Sequence, residues 1–172
     1  MPAERSTVSG VAPGAAPLQV LHVSGRAAAP EAQRLAAYEQ GLGWQVTLAR
    51  VGSPRDLAGQ LRRSDVDVVA LHGRTAGLIG RLLLRGSRCT VLVPRAGTWC
   101  AGGLLARIWE RPAAAWTNAV LLTDPVDAAR GVRRGVWVPP FVVGDSLELR
   151  AAVLTRAQAF GRTSARLAAR SS

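Results

Sequence analysis

Lysine is absent from this chain of 172 residues, and all 22 of its basic residues are arginine. That absence excludes a G-x-x-x-x-G-K-[ST] phosphate loop outright, and G-x-G-x-x-G is missing as well, so neither a general ATPase nor a dinucleotide site is marked. Missing lysine beside abundant Ala, Gly, Val and Leu is also what a GC-rich coding sequence produces. The net charge of +11, from 22 basic and 11 acidic residues, therefore says less about partners than its size suggests. The arginines run from Arg5 to Arg170 with no aromatic-interleaved block, helix-turn-helix, zinc finger or RNP motif, so nucleic acid is not indicated as a partner.

Cysteine is nearly absent too. Cys89 and Cys100 fit neither a C-x-x-C redox pair nor a zinc set, which predicts buried or incidental thiols in a reducing compartment and leaves a disulfide open. No apolar run reaches the roughly 18 residues of a spanning helix, and the N-terminus has no apolar signal-peptide core. The expected location is the cytoplasm, at most peripheral to a membrane. A G-x-S-x-G elbow is lacking, so the His72-Gly73 pair is not read as a hydrolase oxyanion loop. No catalytic residue, metal ligand or cofactor is assigned.

What is present is an organised pattern. At 48% hydrophobic content the chain can bury one substantial core, and one domain is expected. Asp67 to Gly80 is its centre: a short apolar run breaks at His72-Gly73 and restarts with apolar residues three and four apart, as when a buried strand turns into a helix. Polar turns at the carboxyl ends of such strands are where open α/β sheets hold ligands. Residues 1–17, rich in Ala, Pro, Gly and Ser, read as a disordered leader. Leu18–Val23 reads as a strand turning at Ser24-Gly25-Arg26, and a helix opens at Pro30 and stops at Gly41. Trp44–Val51 is the second strand, and Ser53-Pro54 supply the N-cap and first position of the second helix.

After the strand at Asp67–Leu71 and a helix from Thr75 to Arg85, Cys89–Val93 is the fourth strand. A helix from Leu104 follows, interrupted or kinked near Pro112. Asn118–Thr123 is the fifth strand, Pro125–Arg133 a short helix, and Val136–Val138 the sixth strand. Strands alternating with helices at short intervals predict an α/β, three-layer Rossmann-like sandwich with a mainly parallel sheet of about six strands. Within the third helix, Arg74, Arg81, Arg85 and Arg88 fall on one face, opposite Ile79 and Leu83. The plain reading is a solvated face, and the sharper one a basic surface for anionic lipid or an acidic partner. His22, inside a strand, reads as a hydrogen-bonded structural residue, and His72, at a strand end, is balanced between structure and site.

The segment from Asp67 to Arg81 resembles the third strand and following helix in the N-terminal domain of GT-B glycosyltransferases, specifically the retaining family 4. Thr90-Val-Leu-Val-Pro-Arg-Ala-Gly97 is similar to that family's strand followed by Pro-His-Gly. Trp116-Thr-Asn-Ala-Val-Leu-Leu-Thr123 resembles its Thr-Asp-x-Val strand, and Val136-Trp-Val-Pro-Pro-Phe-Val142 its Val-Ile-Pro-Asn-Gly-Val segment. The resemblance spans about Leu18 to Gly161 in a shared order. It implies a domain at 18–144, followed at 145–172 by the linker-like helix that leads into a donor domain.

In that family two Rossmann-like domains face each other across a cleft, the first holding the acceptor and the second the sugar nucleotide. The resemblance therefore places His72, Gly73, Arg74, Arg95, Gly97 and Thr98 on the acceptor side of the cleft, with Gly25 and Arg26 near the donor phosphates. It implies a glycan or lipid-linked acceptor and a separate donor-domain polypeptide as partner, while peripheral contact with an anionic membrane is the expectation that the arginine face of the third helix raises. Arg95 stands where the family has its cleft histidine, Gly25 lacks the usual second glycine, and the chain ends at Ser172, before a donor domain. The expectation is an acceptor-binding half of a glycosyl transfer system, inactive alone. A degenerate binding or scaffold module and an unrelated Rossmann-like domain are the alternatives.

Overall fold

A computed structural model describes residues 17–51, 53–94, 104–126, 128–129 and 141–170. Six strands form one all-parallel sheet: β1 (Gln19–Ser24), β2 (Gln45–Arg50), β3 (Val68–His72), β4 (Cys89–Val93), β5 (Ala119–Leu122) and β6 (Phe141–Val143), in the order β2-β1-β3-β4-β5-β6. The helices are α1 (Ala29–Gly41), α2 (Pro54–Arg63), α3 (Gly73–Leu84), α4 (Leu104–Ala114) and α5 (Leu147–Arg170). This is a Rossmann-like sandwich.

Alternation along the strands builds two cores. Leu21, Val23, Val69, Leu71, Leu92 and Val120 point to one face, where Leu57 and Leu61 of α2 and Ala76 and Leu84 of α3 cover them. Val20, Val68, Ala70, Val91 and Leu121 point to the other, beneath Leu35 of α1 and Val153, Leu154 and Ala157 of α5. Right-handed crossovers require this division, because β1 to β2 runs one way across the sheet and every later connection runs the other. The helix expected to be a linker thus packs its first half on the sheet as part of the core.

The local signals act as their chemistry dictates. The Ser53 hydroxyl accepts from the Asp56 amide at 3.2 Å, capping α2 ahead of Pro54. α4 runs through Pro112 and closes two residues later in a turn in which Ala115 N–H donates to the Pro112 carbonyl at 3.2 Å. A proline in a last turn displaces little of the helix, so the expected interruption does not occur there. The sixth strand differs from its expected place. Residues 136–138 lie outside those described, and the segment that pairs with β5 is Phe141–Val143, beyond Pro139-Pro140. Phe141-Val-Val, just past the two prolines, is a strand-forming run with all its amide donors. Residues 125–126 and 128–129 are helical, and the rest of the helix expected to Arg133 lies outside the described residues, as do residues 1–16.

The expected arginine face of α3 is not a solvated stripe. Arg81 is 1% exposed, and its two terminal nitrogens each donate to a Glu110 oxygen at 2.8 Å, joining α3 to α4. α3 ends at Leu84, Arg85 takes a left-handed conformation (φ 45°), and Arg88 leaves the helix. Leu83 is on the outside. The inner side of α3 sits close on β3 because Gly80 has no side chain. A Cβ there would lie 2.5 Å and 2.8 Å from the two methyl carbons of Leu71, which is itself fully buried. Gly80→Ala is therefore expected to cost about 1–3 kcal/mol despite its gain in helix propensity. Urea or thermal denaturation checks it, and an unchanged or higher stability would mean that Leu71 has room to move.

Candidate functional site

In the order β2-β1-β3-β4-β5-β6 the chain reverses direction across the sheet once, between β1 and β3. In open parallel sheets the crevice beyond the carboxyl ends of the strands at such a reversal is the ligand position, because the two following helices depart to opposite faces. Ser24, the last residue of β1, pairs in register with His72, the last of β3. The segments Gly25-Arg26 and Gly73-Arg74 therefore emerge side by side. Arg26, in a short 3-10 turn, and Arg74, in the first turn of α3, are both exposed.

β3 passes into α3 with no intervening residue. Gly73 takes φ +79°, a left-handed value that strains any other residue, and a Cβ there would lie 3.5 Å from that of Ala28. No side chain caps α3, and no acidic residue stands in its first turn. The amides there, and the positive end of the helix dipole, point towards the edge where Arg26 and Arg74 project.

Of the residues assigned from sequence, the structure brings Gly25, Arg26, His72, Gly73 and Arg74 to this one edge. Arg95, Gly97 and Thr98 lie outside the described residues. His72 belongs to the edge by its backbone, but its ring turns beneath α1 and α5 and is 1% exposed. There it joins a buried polar chain that includes a residue with no marker in the sequence. Glu39 of α1, 0% exposed, holds His22 Nε2 through Oε2 at 2.7 Å, and His22 Nδ1 lies 2.8 Å from His72 Nε2. A carboxylate only accepts, so His22 carries its hydrogen on Nε2 towards Glu39. A single hydrogen lies between His22 Nδ1 and His72 Nε2, and the remaining His72 nitrogen, Nδ1, has no partner among the described residues.

Arg150 of α5 completes this region. It donates to Glu31 Oε1 at 2.8 Å and to Asp145 Oδ1 at 3.0 Å, tying α5 to the first turn of α1, and its Nε has no partner among the described residues. Burial, then the His22 ring, then the Arg150 guanidinium hold the His72 pKa well below 6.5. His72 is a neutral imidazole whose Nδ1 is placed to make one hydrogen bond with water or a hydroxyl, accepting or donating according to its tautomer. Sequence spacing could not have found Glu39 or Arg150. Each sits on a helix whose rotation over the sheet is fixed only by packing.

Among the described residues no group of three or more His, Cys, Asp or Glu could hold a metal ion. Cys89 lies buried in β4, and burial, with Asp67 nearby, pushes its thiol up to about 12, so it is a packing residue rather than a nucleophile. Cys100 lies outside the described residues. No described helix is long and apolar enough to cross a membrane. No protein-family model matches this chain, and no curated protein or solved structure does.

A depressed histidine pKa makes folding sensitive to acid. Below pH 6.5 the unfolded chain binds a proton at this position that the folded chain refuses, so stability falls as pH drops from 6.5 towards the folded-state value. Urea midpoints measured across that window are expected to decline, and His72→Gln, which cannot titrate, to flatten the decline. An unchanged slope in the variant would place the sensitivity elsewhere.

Proposed function

We propose that this chain is an acceptor-binding domain of the GT-B type, one half of a sugar-nucleotide-dependent glycosyl transfer system, with its ligand at the carboxyl edge of β1 and β3. The observation that carries the reading is the pairing of Ser24 with His72 at the reversal of the sheet. The two segments that the resemblance assigns to the cleft, 25–26 and 72–74, become neighbours at the position where parallel sheets bind ligands. The chemistry of the edge supports a polar, hydroxyl-rich or phosphate-bearing ligand. Two exposed arginines offer paired donors to oxygen, and the uncapped start of α3 offers backbone amides.

A second reading, a binding module without catalysis, draws on one observation. The His72 ring is engaged internally with His22, and residues 24–26 and 72–74 contain no carboxylate, so the edge holds no acid–base pair of its own. Both readings place sugar binding at the same edge and differ in turnover.

Saturation-transfer NMR of the full chain with a panel of free mono- and disaccharides tests the shared part. Binding is expected, with Arg74→Ala and Arg26→Ala each weakening it about tenfold or more through loss of a charged donor. No saccharide binding, or binding indifferent to both substitutions, would remove the assignment. Adding a GT-B donor-domain polypeptide and a sugar nucleotide then separates the two readings. Release of nucleoside diphosphate dependent on this chain supports the transfer reading, and binding without release supports the module.

A further inference from the structure

We propose that the outer surface of the α2–α3–α4 layer docks on an anionic lipid bilayer. The inference stands apart from the sugar-binding edge and starts from the composition of α3. Of its twelve residues only Arg74, Thr75 and Arg81 are polar, and Arg81 is turned inward onto Glu110. Ala76, Gly80 and Leu84 face the sheet, so the outer side is left to leucine, with Leu82 and Leu83 40% and 41% exposed. A helix that is apolar on every side is ordinarily covered on every side. In the same layer Ile108 of α4 is 60% exposed and Val126, after β5, 52%. Four of the seven exposed large hydrophobic residues among those described thus lie on this layer, whereas the side of α1 and α5 has Leu42, just past the end of α1, and Leu48 of the edge strand β2.

The charge of the layer selects its occupant. Arg55, Arg62 and Arg63 of α2 and Arg85 after α3 are exposed there, against Asp56 and Asp65. A second copy of the chain would bring the same arginines and a net charge of +11 against themselves, which opposes self-association. Nucleic acid would use the guanidiniums and leave the leucines without a partner. A bilayer with anionic headgroups uses both. The leucines and isoleucine enter the acyl boundary, while arginine, with its long stem, keeps its guanidinium at the phosphates.

Co-sedimentation of the full chain with vesicles tests this directly, using phosphatidylcholine alone and phosphatidylcholine mixed equally with phosphatidylglycerol. Binding is expected to the mixed vesicles only and to weaken with added salt. The double variant Leu82→Asp/Leu83→Asp should bind about tenfold more weakly or worse, given the apolar area withdrawn. Both positions are on the outside, and an unchanged circular dichroism spectrum and thermal midpoint confirm that the variant folds. Arg34→Gln/Arg156→Gln, on the opposite layer, should bind as the parent does. Equal binding to phosphatidylcholine alone, no binding to either vesicle, full binding by the leucine variant, or equal loss in the opposite-layer control would each overturn the proposal. So would a dimer, seen by light scattering, that the leucine variant dissolves. The vesicles carry no sugar and neither Arg26 nor Arg74 is altered, so failure here leaves the sugar-binding reading untouched, and the converse holds.

Discussion

β3 gives its backbone hydrogen bonds to β1 on one side and β4 on the other, and all five of its side chains are buried. A central parallel strand has no face towards water, so each element next to it must supply cover. α3 supplies it on one face through Ala76 and Gly80, approaching closely enough that Leu71 occupies the space a Cβ at Gly80 would need. α1 and α5 supply it on the other through Leu35, Val153 and Leu154. The reversal at β1 and β3, and with it the candidate ligand edge, follows from where those helices can lie.

Buried polar groups record how that cover is oriented. Placing Glu39, His22 and His72 under α1 is costly in a low-dielectric interior, and it is tolerated because each ring nitrogen of His22 has a partner. Arg81 and Glu110 do for α3 and α4 what Arg150 and Glu31 do for α5 and α1. Each pair joins two helices with hydrogen bonds of fixed geometry. Such pairs add little net stability over well-packed apolar residues, but losing one partner strands a charge. Two of these partners, His72 and Arg150, end in nitrogens with no partner among the described residues, and both lie towards the carboxyl edge of the sheet.

Much of the fold is legible in the chain because its signals are local. Ser53-Pro54 marks the start of α2, the apolar runs at 68–71 and 89–93 mark central strands, and the short spacing between them requires parallel crossovers. Gly25, Arg26, Gly73 and Arg74 are legible as an edge for the same reason, since each directly follows a strand. The sixth strand is less legible, because Val136–Val138 and Phe141–Val143 are equally apolar and no local signal marks Phe141–Val143 as the segment that pairs with β5. The arginines of α3 mislead a periodic reading. One hundred degrees per residue says which side chains share a face, not which face meets a neighbour, and α4 brings Glu110 to the side where Arg81 projects.

The sequence by itself determined the first five strands, the four helices that follow the first four of them, the parallel α/β class and the turns at 24–26 and 72–74, because glycine conformation, proline geometry and apolar spacing act over a few residues. Tertiary structure alone decided that His22 reaches both Glu39 and His72, that Arg150 reaches Glu31, and that Leu82 and Leu83 of an apolar helix stay outside. Those outcomes depend on how helices distant in sequence rotate and close over the sheet. Rotation is settled by packing and by satisfying buried charge, and neither is written in any one segment.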